Sequence, residues 1–268
     1  MTSRLARTLL IVVALLALAG GNAFAATAAC VAGSLNSYVG LGATGCTIGD
    51  KTFSGFQDLF TEGQTSLGGN QSSPSTPNDM LITVTPIVGP NYGFTFGFLG
   101  TTNGVAYDQL LTMDINYQVN VGPGFNISSV YSEVWGGMGT AQSGASVFAD
   151  KHLCQGGAFV INLVNNSNLC TGGTLATDVL NQNQFNVVGP YATEYFGTKP
   201  LTSGQTLLGV SDEIDLYGGT VNNGGVSAAI SQMSNEFLQS PNGVPEPATC
   251  LLLGSALLGL GALRRKRV

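Results

Sequence analysis

Residues 111–121 carry the clearest pattern in the chain. Leu111, Met113, Ile115, Tyr117, Val119 and Val121 alternate with Thr112, Asp114, Asn116, Gln118 and Asn120. A period of two gives one apolar and one polar face, so this run predicts an antiparallel strand lying on a core. Residues 92–98 alternate Tyr92, Phe94, Phe96 and Phe98 with glycine or threonine. Residues 80–88 are β-rich, with Pro86 marking an edge or a strand end. Further strands are predicted over 128–135, 146–151, 158–164 and 207–217. Turn signals separate them: Gly122-Pro123-Gly124, Gly136-Gly137, Gly156-Gly157, Gly172-Gly173, Gly218-Gly219 and Asn223-Gly224-Gly225. Gly63 to Asp79 is polar, holds Pro74 and Pro77, and reads as an exposed loop. Residues 226–238 fit a helical face through Val226, Ile230, Met233 and Phe237, or a strand through Val226, Ala228 and Ile230. We read them as a strand with a ragged end. Many short strands at this spacing predict an all-β, antiparallel sandwich of jelly-roll-like form.

Both ends break this pattern. Arg4 and Arg7 precede an uninterrupted apolar run from Leu9 to Ala19, then Gly20 and Gly21, then the small-x-small tripeptide Ala23-Phe24-Ala25. That order predicts a signal peptide over 1–25, cut by signal peptidase to leave Ala26 first. The run is too short for a comfortable membrane span. At the other end, Val244-Pro245-Glu246-Pro247 is stiffened by its prolines. An uncharged Leu-, Gly- and Ala-rich run, 248–263, and the basic cluster Arg264, Arg265, Lys266 and Arg267 follow. As a helix that run is roughly 24 Å long at 1.5 Å per residue. Snorkelling and local thinning let it serve as a transmembrane helix. The cluster belongs on the cytoplasmic side, so residues 26–243 form the exported domain.

The tetrapeptide, apolar run and basic cluster over 244–268 together resemble the PEP-CTERM sorting signal of exported bacterial proteins. The resemblance implies processing by an exosortase near Pro245, a transient or retained membrane anchor, and a place in an exopolysaccharide-producing envelope. Residues 38–53, Tyr-Val-Gly-Leu-Gly-Ala-Thr-Gly-Cys-Thr-Ile-Gly-Asp-Lys-Thr-Phe, followed by Phe56, resemble the mature start of a group of such proteins common in acidobacteria. That group joins a first cysteine to the one after the glycine loop, which implies Cys30 with Cys46 here. It implies no activity.

Charge sharpens the picture once the ends are set aside. Between Ala26 and Glu246 stand three lysines, Lys51, Lys151 and Lys199, and no arginine against fifteen carboxylates, a net charge of −12. A surface so acidic excludes nucleic acid as a partner and is repelled by anionic lipid. Cys30 and Cys46 are sixteen residues apart, as are Cys154 and Cys170. In an oxidising compartment four cysteines allow three pairings, of which the two local ones close the shortest loops.

Candidate chemistry is thin. Gly40-x-Gly42-x-x-Gly45 matches the dinucleotide fingerprint in form, but that fingerprint needs a strand before it and a helix after it. Cys46-Thr-Ile-Gly follows instead. There is no Gly-x-Ser-x-Gly elbow, and the single histidine, His152, reads as an exposed strand-end or loop residue. Glu213 and Asp215 share one face of strand 207–217, about 6.5 Å apart along the backbone. They are a weak candidate pair for Ca²⁺ or glycosidase chemistry, and the plainer expectation is a solvated strand face. Asp212 falls on the apolar side, as a strand end, a bulge or a buried hydrogen-bonded carboxylate. Trp135 is expected in the core as a lone tryptophan; with Tyr131 it could instead form a sugar-stacking platform. No cofactor is expected. The sequence thus points to a non-enzymatic surface or extracellular-matrix protein. A carbohydrate- or calcium-dependent binding module within exopolysaccharide is the alternative.

Overall fold

Alternating apolar positions assemble two antiparallel sheets, whose inner faces form a single core. The computed structural model describes residues 27–64, 82–98, 104–105, 109–137, 146–162, 167–176, 192–219 and 228–241. The first sheet runs β1 (Gly33–Ser34), β4 (Ile82–Ile87), β5 (Tyr92–Phe98), β15 (Ala228–Pro241), β8 (Phe125–Gly137) and β13 (Ala192–Gln205), with β6 (Gly104–Val105) pairing β15. The second runs β12 (Thr174–Ala176), β9 (Ser146–Gln155), β14 (Leu207–Tyr217), β7 (Gln109–Val121), β3 (Lys51–Gln64) and β2 (Cys46–Ile48). A separate hairpin, β10 (Ala158–Asn162) with β11 (Ser167–Thr171), packs beside β14 and β7. One short helix, α1 (Leu35–Val39), is capped by Ser34, whose Oγ accepts the Ser37 N–H at 3.3 Å.

The core is aromatic where the sheets meet. Phe53 of β3 and Phe94 of β5 pack edge-to-face at 4.6 Å between centroids, and Tyr117 of β7 stacks on Phe56 at 5.3 Å. Such pairs add specificity to the apolar area they bury. Of the ambiguous residues 226–238, those from Ala228 onward resolve as strand: Met233 and Phe237 face the core, and β15 is central in its sheet.

One polar cluster crosses this interior. Lys151 of β9 donates to Asp212 Oδ1, and Asn235 Nδ2 of β15 donates to Asp212 Oδ2 at 2.6 Å and to the Tyr117 hydroxyl at 2.9 Å. Ser132 Oγ of β8 donates to Asn235 Oδ1 at 2.8 Å. All five residues are buried. Of the three alternatives for Asp212, it is therefore the buried hydrogen-bonded carboxylate. Burial pulls Lys151 below its ordinary range, opposed by Asp212. A fully hydrogen-bonded buried pair is costly to half-remove, so the cluster fixes how one sheet sits on the other.

Some element bounds differ from those that the sequence predicts. Gly136 and Gly137 do not form a turn; they continue β8 and pair with Ala229 and Ile230. Gly63 does not open a loop, because β3 runs on to Gln64; residues 65–79 lie outside the described residues. Strands β3 and β13 were not expected at all. A bulge between Ser54 and Gln57, with Gly55 at φ 63°, breaks the alternation of β3. Pro200 and a register shift before Gln205 break that of β13.

Both local disulfides form. Cys30 joins Cys46, and Cys154 joins Cys170. Gly42 and Gly45 sit at φ 55° and 63° after α1 and before β2. Helix and strand thus flank the glycines in the reverse of the order that a dinucleotide needs. A Cβ on Gly45 would stand 2.0 Å from the Phe53 carbonyl oxygen, so packing as well as the left-handed backbone requires glycine there. Among the described residues no helix is long and apolar enough to cross a membrane. The predicted signal helix and the helix 248–263 lie outside them.

Candidate functional site

The outer face of the first sheet collects a row of aromatics, with Tyr131 and Trp135 half-buried and Phe196 exposed. Alternation along β8 sends Val130, Ser132 and Val134 inward, which leaves Tyr131, Glu133 and Trp135 on the outer face. Opposite them on β15 stand Glu236, Ser234 and Gln232. On β13, Phe196 lies opposite Glu133 and is 60% exposed. Its ring is 6.4 Å from that of Tyr131, with planes 31° apart. Glu133 ties the row together: Oε1 accepts the Trp135 indole N–H, and Oε2 accepts the Tyr131 hydroxyl at 3.3 Å.

Trp135 is therefore not a core residue. The register places it two and four residues from Glu133 and Tyr131 on the same face, and its N–H finds a carboxylate there. The other half of the face is low. Gly93, Thr95 and Gly97 of β5 lie opposite Glu236, Ser234 and Gln232, and Thr95 Oγ1 and Ser234 Oγ are hydrogen-bonded at 3.1 Å. Aromatic rings thus stand on one side of a polar row, with small residues on the other. Phe196 carries no local signal, because Pro200 and the register shift break the alternation of β13. The alternation of Tyr131, Glu133 and Trp135 was the legible signal.

The outer face of the second sheet holds the titratable groups. Glu213 of β14 lies opposite Asp114 of β7 and Asp150 of β9, and Asp215 lies opposite Thr112, which donates to it. His152 is inside β9, with Nε2 at 3.4 Å from Glu213 Oε2 and 3.7 Å from Asp150 Oδ2. It is half-buried within a strand, not exposed at a strand end or in a loop. This face is the solvated one expected only in part, with the Glu213 side chain 34% exposed. The hairpin packs over it, and Asn168 of β11 donates through Nδ2 to Asp114 Oδ1 at 2.8 Å and to Ser211 Oγ at 3.0 Å. Asn116 Nδ2 in turn donates to Asn168 Oδ1 at 2.6 Å. Gly209 makes this approach feasible, since a Cβ there would lie 2.9 Å from Ala158 Cα.

Burial first, then Glu213, pushes the Asp114 carboxyl up to about 7 against the pull of Asn168. Burial also raises Asp215, opposed by Thr112. Among the described residues no three histidine, cysteine or acidic side chains are placed to hold a metal ion. Glu213 and Asp215 are thus neighbours on one strand without a third such ligand. The sorting residues Val244 to Pro247 and Arg264 to Arg267, and the cleavage-site residues Ala23, Ala25 and Ala26, lie outside the described residues.

Fold and face together define a two-sheet antiparallel β-sandwich with an aromatic and carboxylate outer surface. The family model for the PEP-CTERM protein-sorting motif matches residues 243–267. The chain carries that motif, which indicates an exported protein of the cell envelope or surface and is consistent with an exosortase substrate. No curated protein matches it in sequence. Solved structures with some likeness include the xylan-binding domain CBM22-1 of Paenibacillus barcinonensis Xyn10C, at 10% identity and TM-score 0.27, covering 80% of this chain and 98% of that one. The xylan-binding module CBM15 aligns at 10% identity and TM-score 0.23, over 68% of this chain and 95% of the other. The enzymatically active domain of bacteriophage CBA120 tailspike protein 4 aligns at 9% identity and TM-score 0.21 over 73% of this chain, which spans 20% of the tailspike chain. At these scores the likenesses decide nothing about ligand or reaction.

Proposed function

We propose that the protein is a non-enzymatic, exported envelope component whose sandwich holds polysaccharide on the outer face of the first sheet. The single observation that carries this reading is the row Tyr131, Glu133 and Trp135 with Phe196 beside it. Aromatic side chains on a sheet exterior, two of them held in place by one carboxylate, present apolar faces to which the C–H face of a pyranose ring is complementary. The amide group of Gln232 flanks them and suits sugar hydroxyls. In this reading signal peptidase releases the chain at Ala26 and the exosortase acts near Pro245. The C-terminal helix anchors the protein only until then. The natural ligand is the exopolysaccharide around the cell.

Binding of the full-length protein in mild detergent to insoluble polysaccharides tests the reading. Trp135→Ala and Tyr131→Ala should each weaken retention by about tenfold, on a stacking value of roughly 1–1.5 kcal/mol per ring, with unchanged circular dichroism. Wild-type protein that is retained by none of cellulose, xylan, chitin and chitosan would leave a purely structural role in the matrix.

A further inference from the structure

Resting on that reading, we infer that the face selects polysaccharides bearing free amino groups, such as a partly de-N-acetylated polymer of amino sugars. The first ground is charge. Glu133 and Glu236 flank Tyr131 on the outer face, one two residues along β8 and the other opposite it on β15. A neutral sugar needs acceptors beside an aromatic row but no negative charge, so uncharged amides would serve it as well as two carboxylates. A primary ammonium uses both features: it offers three donors to carboxylate oxygens and is attracted to the face of a nearby ring.

The second ground is the lack of any cation to oppose them. Among residues 27–241 the basic side chains other than His152 are Lys51, Lys151 and Lys199. Lys51 and Lys151 are both 0% exposed. Lys51 is held by Gln239 at 2.7 Å and by Asp50 at 3.3 Å, with its ammonium 4.7 Å from the Tyr92 ring centre. Lys151 is locked on Asp212 in the core. Lys199 lies opposite Val130, at an inward register position on β13. The face therefore repels uronates and sulfated glycans and attracts cationic ones.

The third ground is spare acceptor capacity. A carboxylate offers about four lone-pair sites, and the aromatic donors fill two of those on Glu133.

The test compares retention of the full-length protein on chitosan, chitin, cellulose and an alginate gel. These probes separate a free amine, its acetylated counterpart, a neutral chain and an anionic one. Retention on chitosan should exceed that on chitin by about tenfold at low salt and fall toward it near about 0.5 M NaCl, as screening removes the charge component. Glu236→Gln should abolish the preference while leaving chitin and cellulose binding in place. Glu213→Gln makes the same charge change on the opposite sheet and should alter nothing. Equal retention on chitin and chitosan, or equal losses in the two variants, would overturn the amine selectivity; equal losses would reduce it to net charge. Either result leaves glycan binding standing. Retention on none of the polymers would sink both readings.

Discussion

Asp114 meets Glu213 and Asp215 under the hairpin, and burial has raised its carboxyl from an ordinary 3.8 to about 7. Folding therefore takes up a proton between those values. The contribution to stability is present in full below about pH 4 and is lost as pH rises to about 7. Asp215, raised in the same direction, adds to this slope. Asp114→Asn keeps an acceptor for Asn168 and removes the ionisation. At about 1.4 kcal/mol for each pH unit between the two values, the variant should gain roughly 2–4 kcal/mol over the wild type at pH 8 and nothing near pH 4. Urea unfolding at the two pH values measures it. A pH-independent difference would show that the carboxyl is not buried as described. Asp114 was legible as a polar position in an alternating strand, but its burial was not. That depends on Asn168, 54 residues away, which no local pattern connects to it.

At the scale of elements, the hairpin β10–β11 is the most dependent part. It belongs to neither sheet and lies against the second sheet through Asn168 and the Cys154–Cys170 bridge. The double variant Cys154→Ser, Cys170→Ser should lose up to about 3 kcal/mol on the loop-entropy model. Its loss should be local as well. Hydrogen exchange over 158–171 should rise while β7 stays protected; uniform acceleration would mean that the bridge supports the whole sandwich. The regular strands β5 and β7 were readable because their alternation is unbroken and one face is dry, and β14 was readable despite Asp212 on its apolar side. Strands β3 and β13 were hidden by a bulge and by Pro200. Trp135 was misplaced for another reason. A lone tryptophan is expected in a core, while the period of two along β8 puts Trp135 on the outer face with Tyr131.

At the scale of the molecule, the C-terminal motif and the sandwich make separate statements, one about destination and one about surface. Intact-mass analysis of the protein from its host's envelope and medium reads the first. The expected product begins at Ala26, has lost Leu251 to Arg267 and contains two disulfides; a product retaining that tail would mean a plain membrane anchor. The second carries a consequence through the three lysines. Proteases of the trypsin kind cut after lysine or arginine, and residues 27–241 offer Lys51, Lys151 and Lys199 alone. Two of these are fully buried, and the third is followed by Pro200, which blocks cleavage after it. The folded domain presents no bond that such an enzyme can cut. A protein so built resists trypsin-like proteases for as long as its two sheets stay together.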